Sequence, residues 1–168
     1  RISGLGWSTT AGDTIFASRC GLVTEVVDNA ASTSENRSFH ATENYLEVFH
    51  KDGTFARYKL FQNGGIFVSP GEEVIPGQPL GIIGGENYKQ GSHLRFSIYC
   101  PDQPDYSYVP DFCLSQEEVG KPEPRVMYKS WHPVAIVVRE MSKKDNKKFL
   151  SKEWTVDKKI VKLLFNPV

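Results

Sequence analysis

Residues 45–61 spell out a β-hairpin, and that hairpin limits what the rest of the chain can build. Tyr45-Leu46-Glu47-Val48-Phe49-His50 is a run of β-branched and aromatic residues. Asp52-Gly53 reads as a two-residue hairpin turn, because both positions tolerate positive φ. Thr54 to Phe61 returns as the partner strand, and Gln62-Asn63-Gly64-Gly65 then breaks the pairing. Strands joined by so short a turn must be antiparallel.

The flanking sequence has the same texture. Thr14 to Ala17, Leu22 to Val27, Leu80 to Gly84 and residues 92–100 all read as strands, punctuated by Gly12-Asp13, Gly21 and the glycines around Pro76-Gly77. No segment of helical period occurs in the first hundred residues. The expected fold class is therefore all-β: an antiparallel sandwich or partly open barrel. Residues 1–11 read as loop with room for a short extended piece, and residues 28–43 as a long polar loop of the kind that lines binding grooves. After Cys100 the texture changes. Residues 101–111 carry Pro101, Pro104 and Pro110, and residues 114–125 read as a linker. Val134 to Val138 and Lys159 to Phe165 read as strands, with Arg139 to Lys152 between them as a short amphipathic helix or a charged hairpin. The expected organisation is a domain over 1–113, the linker, and a small mixed extension over 126–168.

Charge supports that division. Residues 1–122 hold 9 Lys/Arg against 15 Asp/Glu, and residues 123–168 hold 11 against 5, so the two parts carry −6 and +6. The basic residues sit in one short segment without interleaved aromatic platforms, which argues against a nucleic-acid surface. The ordinary reading of Lys143, Lys144, Lys147, Lys148 and Lys152 is a solvated face; contact with an anionic polymer or acidic partner is the alternative. No run of 18 apolar residues spans a membrane. Cys20, Cys100 and Cys113 form no CxxC pair, which speaks against structural zinc. Cys100 and Cys113 flank a Pro-Asp-rich loop and offer one candidate disulfide in an exported protein, leaving Cys20 as a small buried residue.

The stretch Gly91-Ser92-His93-Leu94-Arg95-Phe96-Ser97-Ile98-Tyr99 alternates, which puts His93 and Arg95 on one strand face. Taken alone, such a pair decorates the solvated side of a sheet.

Three motifs around that pair, in order, change its meaning. Asn44-Tyr45-Leu46-Glu47-Val48-Phe49-His50-Lys51-Asp52-Gly53 through Tyr58, then Val68-Ser69-Pro70-Gly71-Glu72-Glu73-Val74-Ile75-Pro76-Gly77-Gln78-Pro79-Leu80-Gly81, then Gly91-Ser92-His93-Leu94-Arg95-Phe96 resemble the lysostaphin-type zinc endopeptidases, which cut peptidoglycan cross-bridges and stem peptides. Upstream, Gly12-Asp13-Thr14-Ile15-Phe16-Ala17 through Val23 resembles that family's first strand pair, so the resemblance covers about residues 2–99.

The resemblance implies a zinc held by three side chains, with an open position for water. It places the first two ligand positions on Ile2 and Gly6, and the third on Arg95. A catalytic histidine of the family falls on Leu60, and His93 keeps the other. Ile and Gly offer no lone pair to a metal, and Arg is a permanent cation. The resemblance therefore implies a degenerate, non-catalytic domain without its zinc cofactor, in which His93, Arg95 and Tyr58 line a groove. Arg95 would take a carboxylate of a stem peptide, or merely pair with a nearby Glu or Asp. His50 is expected to make a structural hydrogen bond, and His132 to be unrelated to the groove. Implied partners are peptidoglycan stem peptides or a wall hydrolase, and the implied location is the bacterial envelope, periplasmic or secreted. Two other classes stay open: a working peptidase with a non-standard site, and an interaction domain using the basic C-terminal segment.

Overall fold

The computed structural model describes residues 4–30, 43–84, 92–103, 107–115, 117–129, 134–151 and 160–165. In chain order the strands are β1 Leu5–Ser8, β2 Thr14–Phe16, β3 Gly21–Val27, β4 Tyr45–Phe49, β5 Phe55–Lys59, β6 Phe61–Ile66, β7 Glu73–Val74, β8 Pro79–Ile83 and β9 His93–Tyr99. After them come β10 Ser107–Tyr108, β11 Phe112–Cys113, β12 Val119–Gly120, β13 Met127–Lys129, helices α1 Val134–Val137 and α2 Lys143–Leu150, and β14 Ile160–Phe165.

The strands make an all-β, antiparallel architecture. The main sheet runs β13-β14-β1-β9-β5-β4-β3-β7, with β10 also on β9. A second sheet, β2-β8-β6, faces it, and β11-β12 forms a small separate hairpin. One face of the main sheet supplies Leu5, Val23, Leu46, Val48, Ala56, Tyr58 and Phe96; the second sheet supplies Ile15, Phe61, Leu80 and Ile83. These meet in one continuous core, and fully burying each large apolar side chain contributes roughly 1.5–3 kcal/mol. Within the second sheet, β8 lies close against β6 at Gly81. A Cβ there would lie 2.7 Å from the Gly65 carbonyl oxygen and 2.9 Å from the Phe61 ring.

Several expectations change. The β4–β5 turn is a three-residue loop: the His50 N–H donates to Thr54 O at 2.8 Å and the Gly53 N–H to His50 O at 3.0 Å, with Gly53 at φ 86°. The short extended piece allowed within residues 1–11 is β1, where Leu5 and Trp7 alternate inward and the strand pairs with β9. The expected strand from Thr54 to Phe61 breaks at Leu60, whose φ of 80° turns the chain from β5 in the main sheet to β6 in the second. β6 then runs through Gln62-Asn63-Gly64-Gly65, with an irregular register, where a break was expected. Val134 to Val138 is not a strand. No neighbouring ladder receives it among the described residues, and residues 134–137 form the short helix α1 instead. The helix alternative holds for the lysine-rich segment. Ser142 caps α2, with Asp145 N–H donating to Ser142 Oγ at 3.1 Å and Asn146 N–H to Ser142 O at 2.9 Å.

The C-terminal segment is tied to the main sheet. β14 pairs with both β13 and β1, placing Phe165 beside Gly6. The stretch expected as linker contains β12, paired with β11. Trp7 packs edge-on against Phe112 at 5.6 Å and Tyr128 at 6.4 Å, which brings these later strands against the same core. Among the described residues, Cys20, Cys100 and Cys113 are all free thiols.

Candidate functional site

The alternation of β9 sends Phe96 inward and turns His93, Arg95, Ser97 and Tyr99 to the outer face. Register then decides their neighbours. Gly6 of β1 lies opposite Arg95 on one side and Lys59 of β5 on the other, and Ser8 lies opposite His93. Two positions that the family resemblance assigns to ligands of one metal, Gly6 and Arg95, are thus direct cross-strand partners, as a shared ion would require. Ile2, the remaining position, lies outside the described residues.

Arg95 is only 5% exposed. A buried guanidinium must be paired to be tolerated. Its Nη1 donates to Glu43 Oε1 at 2.7 Å, and the second oxygen of Glu43 stands 3.3 Å from Lys59 Nζ. Arg95 Nε donates to His93 Nε2 at 3.3 Å. That nitrogen is the acceptor in this contact. The cluster puts an ion pair at a position that the resemblance assigns to a metal ligand. Its residues do not fit a zinc ion: Gly6 has no ligating side chain, Arg95 is cationic, and His93 Nε2 is taken by a guanidinium. Among the described residues, no group of three or more His, Cys, Asp or Glu side chains is arranged to hold a metal.

Tyr58 does not join the groove. It sits on the inner face of β5 opposite Phe96, and its hydroxyl accepts from Ser18 N–H at 3.0 Å and meets Ser18 Oγ at 2.7 Å. Burial raises its pKa. The groove residue of β5 is its neighbour Lys59, because alternation gives adjacent residues opposite faces. Leu60, at the family's histidine position, is buried in the core and held by hydrogen bonds from its N–H to Asn44 O and from the Gly84 N–H to its own carbonyl, each 2.9 Å.

Pattern reading did not single out Glu43, since it sits at the end of a polar loop without periodicity. It also missed a second cluster on the same face. There Arg57 donates to Glu47 Oε2 from Nη2 at 2.7 Å and from Nε at 3.1 Å, while Tyr99 hydrogen-bonds the same oxygen and Thr24 Oγ1 donates to Oε1 at 3.1 Å. The Arg57 guanidinium lies 5.0 Å from the Tyr45 ring centre and 5.2 Å from that of Tyr99. Burial and the bond to Glu47 push the Tyr99 phenol up to about 12.

His50 makes its structural hydrogen bond, from Nδ1 to Cys20 O at 2.7 Å, and burial lowers its pKa. Beside it, Arg19 bridges Asp52 at the hairpin turn, 2.7 Å away, and Glu140 in the C-terminal segment. His132 lies outside the described residues.

Residues 1–105 match the family model described as peptidase family M23. Comparison with curated proteins finds no match. Among solved structures, the chain is similar to a point-mutant catalytic domain of the prophage-encoded M23 protein EnpA from Enterococcus faecalis. The two share 20% identity at a TM-score of 0.48 over 63% of this chain and 73% of that one. It is also similar to a zinc-containing peptidase from Vibrio cholerae, at 25% identity and a TM-score of 0.43, over 56% of this chain and 26% of that one. The solution structure of lysostaphin gives 20% identity and a TM-score of 0.45, over 58% and 36%. The chain thus spans well under half the length of the last two. The match over residues 1–105 covers more than half of the sequence and agrees with the motifs around Asp52-Gly53 and His93. This chain belongs to peptidase family M23.

Proposed function

We propose that this M23 domain does not cut peptide bonds and serves instead at the bacterial cell wall, binding peptidoglycan stem peptides or regulating a wall hydrolase. One observation carries the reading: Gly6 and Arg95 face each other across β1 and β9, and Arg95 is ion-paired to Glu43. A family peptidase needs lone pairs at these positions to hold the ion that activates water and polarises the scissile carbonyl. A glycine and a paired guanidinium supply neither. His93 alone cannot replace that chemistry, since its Nε2 already accepts from Arg95. An envelope location, periplasmic or secreted, follows from the same reading. Among the described residues no helix is long and apolar enough to cross a membrane.

The test joins two measurements on the full chain: elemental analysis of protein offered zinc, and release of soluble fragments from purified peptidoglycan. The expected outcome is substoichiometric zinc and no release, with the protein still co-sedimenting with the wall. About one equivalent of metal together with release would establish instead a working peptidase with a non-standard site. A further reading rests on Lys143, Lys144 and Lys147, which are all exposed on α2. Wall binding that salt abolishes and that persists in Arg95 variants would favour this basic segment as the working surface.

A further inference from the structure

We infer that the exposed face of α2 docks a linear polymer of phosphates. The inference sharpens the basic-segment reading above and rests on it, and it is independent of what the groove around Arg95 does. Lys143, Lys144, Lys147 and Leu150 are all exposed on α2. At 3.6 residues per turn these positions fall within about a third of the helix circumference. Asp145, the one acid of the helix, lies outside that arc and accepts a hydrogen bond from the Ser142 hydroxyl. None of the three lysines has an ion-pair partner among the described residues, whereas Arg19, Arg57, Lys59 and Arg95 are each paired.

These lysines work against the helix that carries them. Lys143 and Lys144 stand in the first turn, where the helix dipole disfavours a cation. Lys143 and Lys147 are like charges at i and i+4, which repel. Helix stability therefore does not account for the pattern, and a bound polyanion relieves both penalties. The helix is nonetheless fixed in place. Ser142 caps it, and just before the cap Glu140 Oε2 accepts from Arg19 Nε at 2.9 Å, which ties the segment to the M23 domain. The chemistry of the face selects the partner. Lysine is a point charge that suits phosphate, and α2 has no arginine to offer carboxylates a two-point fork. Lys143 and Lys147 lie about 6 Å apart along the helix axis. A chain of closely repeating charges meets them in succession and releases its counterions. Leu150, though 57% exposed, is a single leucine and too little apolar surface to hold a bilayer.

The experiment titrates the 168-residue chain with labelled inorganic polyphosphate over a series of salt concentrations. Each phosphate contact contributes about 0.7–0.9 to the slope of log affinity against log salt. Changing Lys143, Lys144 and Lys147 together to glutamine should make the slope shallower by about 2 and weaken binding by about tenfold or more. Glutamine matches lysine in helix propensity, and circular dichroism confirms that the variant is folded. Changing the same three residues to arginine keeps the charge and should keep the slope. An unchanged slope in the glutamine variant overturns the inference. Polyglutamate binding as tightly as polyphosphate also overturns it, and reassigns the face to anionic polymers at large. Binding to phosphatidylglycerol vesicles, or lysine-dependent self-association at low salt, overturns it where polyphosphate does not bind, in favour of a bilayer or a second copy. Wall co-sedimentation of the glutamine variant separates the two readings. Lost wall binding in a chain that never bound polyphosphate fails the inference and keeps the basic-segment reading. Unchanged wall binding with lost polyphosphate binding fails that reading and keeps the inference.

Discussion

Two arginines stand on the same face of the main sheet, each held by a glutamate, and they are held in opposite ways. Arg57 is 32% exposed, yet it is over-determined: two nitrogens on one carboxylate oxygen, a tyrosine hydroxyl on the same oxygen, and an aromatic ring on either side. Arg95 is 6% exposed and meets its glutamate through one contact. The first pair has water to fall back on and does not need it. The second has little water around it. A dry ion pair is a poor way to stabilise a sheet, since desolvating it costs about as much as the attraction returns.

The comparison makes predictions that run from large to small. Glu43→Ala leaves the Arg95 guanidinium buried beside Lys59 without that partner, and should cost about 3–5 kcal/mol in denaturant unfolding. A loss below about 1 kcal/mol, the scale of an exposed pair, would show that water reaches Arg95 and would erase the contrast with Arg57. Arg57→Ala should cost less, about 1.5–3 kcal/mol, the worth of hydrogen bonds to a charged group, because Tyr99 and Thr24 still satisfy Glu47. If it costs as much as Glu43→Ala, packing of Tyr45 and Tyr99 on the guanidinium sets the energy and charge burial does not.

The smallest effect belongs to a third arginine, Arg19, whose side chain is 34% exposed and whose partner Asp52 is 48% exposed. Burial by itself would raise the Asp52 carboxyl; the Thr54 hydroxyl, Arg19 and the Thr54 N–H override it and hold the group well below its ordinary 3.8. A depressed folded-state pKa contributes stability that is present above the unfolded value and lost as pH falls through the folded one. Urea unfolding of the native chain should therefore weaken below about pH 4 more steeply than unfolding of Asp52→Asn. Parallel pH curves for the two would remove Asp52 from the account.

Much of the site was legible in β9 itself. Alternation put His93 and Arg95 on one face, and the motifs around them drew attention to Arg95 and Gly6, which the sheet makes cross-strand partners. Tyr58 was misplaced for a reason that generalises. A motif says which residues are near a site, but only strand parity says which face each one takes, and a one-residue shift reverses every answer. The same parity that removes Tyr58 to the core delivers Lys59 to Arg95. Val134 to Val137 has strand propensity, which has force only where a neighbouring strand is present to pair with. Glu43 could not have been found by pattern, because its role depends on a contact across 52 residues with Arg95.

By itself, then, the order of residues determined the class of fold, through alternation and turn chemistry. It also fixed that Gly6 and Arg95 carry no ligating group, because the chemistry of a side chain does not depend on where it sits. Only the tertiary structure decided what replaced them. Pairing β9 with β1 and β5 brought Gly6, Arg95 and Lys59 into one row, and the end of a distant loop supplied the carboxylate that a buried guanidinium requires. Strand pairing and burial are properties of the assembled sheet, and a charge acquires its partner only once the sheet excludes water around it.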